Sequence, residues 1–250
     1  MLTRTFVHLP GVGLKTEARF WRRGLLDWTD FLAAASAPGL GPARLDLLKQ
    51  GVEQSLLHRD QPRFFASRLP GAEHWRLFHH FRARAAYLDI ETSGAVWPHP
   101  EVTVVGLSDG AVLRQFVRGF NLEDFPQALE GVDLLVTFNG VQFDAPVLLA
   151  NFPGLRLPPV HLDLRFILAR LGYKGGLKKI EPLFGIRRPG QVAGLNGYDA
   201  VLLWERHRRG DRTALELLLA YNREDVINLE VLMEEAYRRQ RDALLQAVGR

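Results

Sequence analysis

The stretch Ala85-Ala86-Tyr87-Leu88-Asp89-Ile90-Glu91-Thr92-Ser93-Gly94 sets two acids into an apolar run. Ala86, Tyr87, Leu88 and Ile90 predict a buried β-strand, and Ser93-Gly94 supplies the turn that ends it. Side chains two apart on a strand share a face, so Asp89 and Glu91 point the same way. Like charges on one face of an apolar strand cost free energy unless something neutralises them. A divalent cation does so, and carboxylate oxygens suit Mg²⁺ or Mn²⁺. An exposed strand end with two solvated acids fits the same letters, and this motif alone does not separate the two.

Two further acids arrive in matching contexts. Residues 133–138 (DLLVTF) predict another apolar strand, followed by Asn139-Gly140 and then Phe143-Asp144-Ala145-Pro146. Asp144 falls where strand gives way to helix, with Pro146 suited to a helix's first turn. Near the C-terminus, Tyr221 and Asp225 stand at i and i+4 on one face of a long helical pattern.

In this order the motifs resemble those of the DEDD 3′→5′ exonucleases: Asp-x-Glu on a first strand, Asn-x3-Phe-Asp after a later strand, Tyr-x3-Asp on a late helix. Tyr221 matches the subgroup that uses tyrosine instead of histidine. The resemblance covers about residues 83–240. It implies two Mg²⁺ or Mn²⁺ ions per site, with Asp89, Glu91, Asp144 and Asp225 as metal ligands. Asp89 would bridge both ions, Glu91 and Asp225 would hold the one that activates water, and Asp144 would support the second through water. Tyr221 completes the catalytic set as an orienter of that water, since an unperturbed tyrosine with a pKa near ~10 is a poor base at neutral pH. Asn139 and Phe143 are expected to meet the nucleic acid; Lys178, at a helix start, would meet the substrate backbone, with a solvated face the equal alternative.

Composition sets the frame. An apolar content of 47% with 24% charged residues is ordinary for a soluble globular protein, and 250 residues suffice for one large or two modest domains. With no cysteine, disulfides and thiolate zinc sites are excluded. The apolar runs are too short to span a bilayer and the opening residues do not read as a signal peptide, so no membrane partner is expected and the cytoplasm is the expected compartment. Residues 1–80 carry 11 lysines and arginines against 7 acids, whereas 81–250 carry 21 of each. Two bound divalent ions would make that second part net positive, in keeping with a polyanionic substrate.

The chain reads as two regions, an all-α one over 1–82 and an α/β one over 83–250. In the first, His8-Leu9-Pro10-Gly11-Val12-Gly13-Leu14-Lys15 leads into an amphipathic helix that stops at Gly24. This segment resembles a helix-hairpin-helix element. Gly11 and Gly13 would leave amides free for a phosphate at a helix start, and Lys15 would add charge. A tight turn between packed helices is the competing reading. Pro38-Gly39-Leu40-Gly41 repeats the pattern 28 residues on, and we expect it to be a loop, because Pro42 removes an amide. The arginines and aromatics of 61–84 suit either a single-stranded binding face or helix packing, with packing favoured.

After the acidic strand, Trp97-Pro98-His99-Pro100 predicts a loop, and 102–107 with 111–117 an antiparallel pair joined by Ser108-Asp109-Gly110. A helix over 121–131 capped by Asn121 follows, then the DLLVTF strand and the helix at Asp144. A fifth strand at 160–164 runs into a helix, with Asp163 read as its N-cap. The order β-β-β-α-β-α-β-α is that of a ribonuclease H-like mixed sheet flanked by helices. A Gly- and Arg-rich loop over 185–197 is placed beside the site. Taken whole, the chain resembles the YprB-like ribonuclease H-like proteins, with HLPG-x-G, YLDIET, FNG…FD and YN-x-x-D in order. The resemblance implies a 3′→5′ exonuclease but does little to fix the substrate; DNA, single-stranded or duplex-adjacent, is favoured over RNA on the strength of the hairpin segment. An RNA-trimming exonuclease and a non-cutting DNA-binding adaptor are the alternatives.

Overall fold

The chain divides just ahead of the acidic strand: Met1–Arg82 with Tyr237–Arg250 form one unit, and Ala83–Ala236 the other. The computed structural model describes residues 1–94 and 100–248, so the loop expected at 97–100 lies outside the described residues except for Pro100. Sequence reading assigned 237–250 to the second region; their contacts cluster with the first unit.

The first unit holds α1 (Leu14–Arg22), α2 (Trp28–Ala33), α3 (Pro42–Leu57), α4 (Pro62–Ala66) and α5 (Phe78–Phe81). Its centre is aromatic: the rings of Phe6, Phe20 and Phe31 lie 5.2 to 5.6 Å apart. Phe65, Trp75, Phe78 and Phe81 are buried and serve packing, while Phe64 is half-buried. Among them Arg76 is fully buried, paired with Glu17 at 2.8 Å and Glu73 at 2.7 Å. Glu17 also accepts from the backbone N–H groups of Phe6 and Val7, which pins the opening segment onto α1.

The second Pro-Gly-x-Gly opens α3 as expected, and its backbone repeats that of the first. Gly11 and Gly39 have φ of 69° and 75°. Val12 N–H bonds Leu9 C=O and Leu40 N–H bonds Ala37 C=O, both at 3.1 Å. Gly13 and Gly41 then take the N-cap positions of α1 and α3 in extended backbone. The two segments are one turn used twice. Pro42 does not prevent this, because it occupies the first helical position, where its fixed φ fits and an amide has no intrahelical partner.

In the second unit β1 (Ala85–Thr92) pairs antiparallel with β2 (Val102–Ser108), which pairs antiparallel with β3 (Leu113–Val117). On its other side β1 runs parallel to β4 (Leu134–Thr137), and β4 to β5 (Val160–Asp163), giving the order β3-β2-β1-β4-β5. The antiparallel turn forms as read: Asp109 accepts from the N–H groups of Ala111 and Val112, and Gly110 takes φ 90°. Parallel neighbours need crossovers. The β4–β5 connection carries α7 (Asp144–Asn151), after the one-turn α6 (Phe125–Ala128) that precedes β4. Then come α8 (Leu164–Arg170), α9 (Leu177–Ile180), α10 (Gly197–Arg208) and the long α11 (Arg212–Val248).

The helix expected over 121–131 is a 3₁₀ turn (Leu122–Asp124) followed by α6, and Asn121 does not cap it through its side chain. That side chain accepts from Val117 N–H and donates to Gln115 C=O, satisfying the end of the edge strand. Pro126 in the first turn of α6 has no N–H to extend a single helix back to Asn121.

Strand alternation sorts the sheet's faces. Ala86, Leu88 and Ile90 of β1 pack with Phe125, Val147 and Leu148. Each of the larger side chains contributes about 1.5–3 kcal/mol by leaving water. Val104, which pairs with Glu91, packs instead with Leu203, Trp204, Leu218 and Tyr221 of α10 and α11. The two acids of β1 are therefore turned toward α11.

Candidate active site

Asp89 and Glu91 reach this face because they are the odd members of a strand whose even members fill the core. Asp225 comes from α11, whose approach depends on a glycine. Gly106 of β2 pairs with Asp89, and a Cβ there would lie 2.3 Å from Asn222 Oδ1 and 2.6 Å from Val226 Cγ2. With no side chain at 106, α11 settles onto the strand and Asn222 Nδ2 donates to both Asp89 C=O and Asp89 Oδ2 at 3.3 Å. Gln115 in turn holds Asn222 Oδ1 at 3.0 Å. The result brings one carboxylate oxygen each from Asp89, Glu91 and Asp225 within 4.8 Å of one another.

Asp144 lies in the first turn of α7, buried, with Oδ1 accepting from Ile90 N–H at 3.2 Å. It thus abuts β1 between the two acids of that strand, while standing outside the three-oxygen cluster. Burial pushes the Asp89 and Glu91 carboxyls well above their ordinary range, and the neighbouring Asp225 charge adds to this. Burial raises Asp144 to about 7 against the pull of backbone amides. Asp225 is also raised by burial, opposed by Arg188 and Lys178. Four acids are held where their charge is disfavoured.

The donor set fits a divalent cation. Three buried or half-buried carboxylates converge, and Glu91 Oε1 is buried with no hydrogen-bond partner. Hard oxygen donors in such a group suit Mg²⁺ or Mn²⁺.

Tyr221 is one helical turn before Asp225, buried, and its hydroxyl accepts from Lys178 Nζ. The ammonium also lies 4.1 Å from the centre of its ring. Burial raises the phenol's pKa, and the charge of Asp225 adds to it. Lys178 therefore stands against the tyrosine. Asn139 adopts a left-handed backbone (φ 67°), and its N–H and that of Val141 donate to Asp163 at 2.8 and 3.1 Å. Asp163 also caps α8 through Arg165 N–H, so one carboxylate ties the loop after β4 to the start of α8. Arg165 holds the side chain of Asn139. Phe143 is 42% exposed beside Asp144. Gly11, Gly13 and Lys15 belong to the other unit. They are exposed, and Lys15 lines an open groove of about 590 Å³ with Arg19 and Arg22 over Leu244 and Ala247.

Arg188, Glu181 and Asn228 escaped the sequence reading. Arg188 forks onto Glu181 (Nε to Oε2 2.7 Å, Nη2 to Oε1 2.6 Å), and the same Nη2 donates to Asp225 Oδ1. Asn228 donates to Glu181 at 2.9 Å. Arg188 sits in a loop whose arginines look alike in sequence, and no local signal marks it. Asn222 did have a signal: it is the N of YN-x-x-D.

A model of the RNase_H superfamily matches residues 86–237. No curated protein matches the chain. Among solved structures, the family B DNA polymerase from the archaeon Pyrobaculum calidifontis is 18% identical with a TM-score of 0.49, covering 60% of this chain, which spans 24% of that one. Brucella melitensis NrnC bound to pGG is 19% identical (TM-score 0.43), covering 68% and 80% of the two chains. The Aedes aegypti Nibbler EXO domain is 12% identical (TM-score 0.46), covering 70% and 91%.

Proposed function

The chain belongs to the RNase_H superfamily, and from that premise we propose that its RNase H-like nuclease fold is a metal-dependent 3′→5′ exonuclease acting on nucleic acid, with DNA favoured. The observation that carries this reading is the convergence of Asp89, Glu91 and Asp225 within 4.8 Å at the face of β1 turned to α11. Polarity rests on the resemblance of the ordered acid motifs. Preference for DNA rests on the glycine turns of the first unit. Among the described residues no helix is long and apolar enough to cross a membrane.

Asp89, Glu91 and Asp225, with Asp144 beside them, would hold two Mg²⁺ or Mn²⁺ ions, and such ions supply an activated water and charge stabilisation for the leaving oxygen. The chain's own part is orientation and exclusion. Asn222 fixes the Asp89 carboxylate, Ile90 N–H fixes Asp144, and the apolar packing of α10 and α11 on the acids' own face of the sheet limits their contact with solvent. Tyr221 receives a hydrogen bond from Lys178 and its hydroxyl faces the Asp225 carboxylate, a position from which it would orient an attacking water beside the acids. With its pKa raised, the phenol acts as a positioned donor and not as a base.

The test is digestion of 5′-labelled single-stranded DNA and RNA of one sequence with Mn²⁺, with Asp89→Ala as control. A metal-dependent ladder shortening from the 3′ end, lost in the variant, is the expected result for DNA. Tight binding with no cutting of either polymer would overturn the exonuclease in favour of an adaptor.

A further inference from the structure

The guanidinium of Arg188 has a side chain only 5% exposed, and its Nη1 is buried without a partner. The geometry of the group says where that donor points. A guanidinium is planar, with its hydrogens in fixed directions. Nε and one hydrogen of Nη2 form the fork taken by Glu181. The second hydrogen of Nη2 goes to Asp225 Oδ1. That hydrogen belongs to the outer edge of the group, and its neighbour on the same edge, on Nη1, runs parallel to it. Nη1 therefore points to the Asp225 side, beside the three-carboxylate cluster.

Leaving a buried guanidinium donor unmade is costly, and the surroundings do not let the group turn away. Glu181 is itself fixed by Asn228 from α11, one turn beyond Asp225. Tyr221 closes another side, its ring centre 5.8 Å from the guanidinium carbon. The donor is held in place next to the acids, aimed at whatever oxygen lies against Asp225.

We propose that Arg188 is a phosphate-binding residue of this site, its Nη1 donating to a non-bridging oxygen of the substrate's terminal phosphodiester while Glu181 and Asp225 hold the guanidinium. This deepens the exonuclease reading and rests on it for the identity of the substrate. The anion class follows from the donor: a planar, permanently charged fork edge suits a phosphate oxygen, and the carboxylates around it exclude neutral apolar ligands. Arg188 also offsets part of the acid charge that an incoming phosphate would otherwise meet.

The experiment measures Mn²⁺ affinity by electron paramagnetic resonance, and binding of a nucleoside 5′-monophosphate to the Mn²⁺-loaded full chain by calorimetry. Wild type, Arg188→Ala and Arg188→Lys are compared. Lysine keeps a charge beside Glu181 and Asp225 and so protects folding, but it lacks the fixed edge. In both variants monophosphate affinity should fall about ten- to a hundredfold, the size of one lost charge-assisted hydrogen bond, with Mn²⁺ affinity within about threefold of wild type. Two results would overturn the assignment. One is a folded Arg188→Lys protein that binds the monophosphate as wild type does. The other is a tenfold or larger loss of Mn²⁺ affinity with monophosphate binding to the loaded protein unchanged, which makes Arg188 a positioning residue for Asp225 alone. The binding arm needs no turnover. A wild type that binds the monophosphate through Arg188 yet cuts neither DNA nor RNA sinks the exonuclease reading and leaves the phosphate site standing.

Discussion

Tyr221 shows how one contact changes a residue's chemistry. From the motif it is an orienter of water by resemblance; in the fold its hydroxyl takes a hydrogen bond from Lys178 and its own hydrogen faces the Asp225 carboxylate. Tyr221→Phe removes that hydrogen and keeps the ring that packs in the core. Cleavage should slow about ten- to a hundredfold while Mn²⁺ affinity, read by electron paramagnetic resonance, stays at the wild-type value. A wild-type rate in the phenylalanine variant would leave the hydroxyl without a role. His8 makes a different case, of stability. It is buried, with Nε2 2.8 Å from Ser55 Oγ, and burial holds its pKa down at about 4 from 6.5. The unfolded chain thus binds the proton more readily than the folded one. The folded state keeps this contribution in full above pH 6.5 and loses it as pH falls toward 4, by about 3 kcal/mol across that window. His8→Gln should flatten the pH dependence of unfolding between 6.5 and 4; denaturant midpoints at stepped pH give the comparison. Residues such as Asp89, Glu91 and Asp225 were legible because their types and spacing carry the chemistry. Arg188 was not, because its meaning comes only from Glu181 and Asp225, which the fold brings to it from seven and thirty-seven residues away.

At the scale of elements, strand alternation was the legible part: that Asp89 and Glu91 share one face of β1 followed from a period of two, and the fold turns that face to α11. What the letters did not carry was why α11 comes so close. Gly106 reads as an ordinary residue in an apolar strand, yet it is the position where a methyl group would meet Asn222 and Val226. Gly106→Ala should cost about 1–3 kcal/mol of stability by overpacking. Because Asn222 and Asp225 ride on the same helix, the larger consequence falls on the site. Mn²⁺ affinity and cleavage should both drop in a protein that keeps its circular dichroism. If the alanine variant binds metal and cuts as wild type does, the helix has room to shift and the glycine is not what sets the approach. The short elements were misjudged for a related reason. The helix expected from Asn121 breaks because Pro126 cannot donate and the asparagine side chain is taken by β3, a demand from a neighbouring strand that a local pattern does not display.

For the whole molecule, the division at Ala83 gives the charge a meaning that the net value of +4 conceals. Residues 1–82 with 237–250 hold 16 lysines and arginines against 8 acids, a net +8, whereas 83–236 are net −4. The acidic unit holds the proposed metal ligands and the basic one holds the repeated glycine turn. The sequence split at residue 80 missed half of this excess, because Arg82, Arg238, Arg239, Arg241 and Arg250, with one acid, Asp242, belong with the first unit. A basic unit of this kind suits contacts to phosphates, which add affinity without reading bases. Within it, Lys15, Arg19 and Arg22 line one groove on α1. If that groove tracks a backbone, replacing all three with alanine lowers the slope of log affinity against log salt by about 0.7–0.9 per lost contact, or roughly 2–3 in all. The measurement is DNA binding at stepped salt in an Asp89→Asn background that does not cut. Cleavage of a dinucleotide, too short to reach beyond the acids, should be unchanged by the same three substitutions in the active protein. An unaltered slope would make the three cations a solvated helix face, and the hold on nucleic acid would then have to come from the acidic unit's own Arg165 and Lys178.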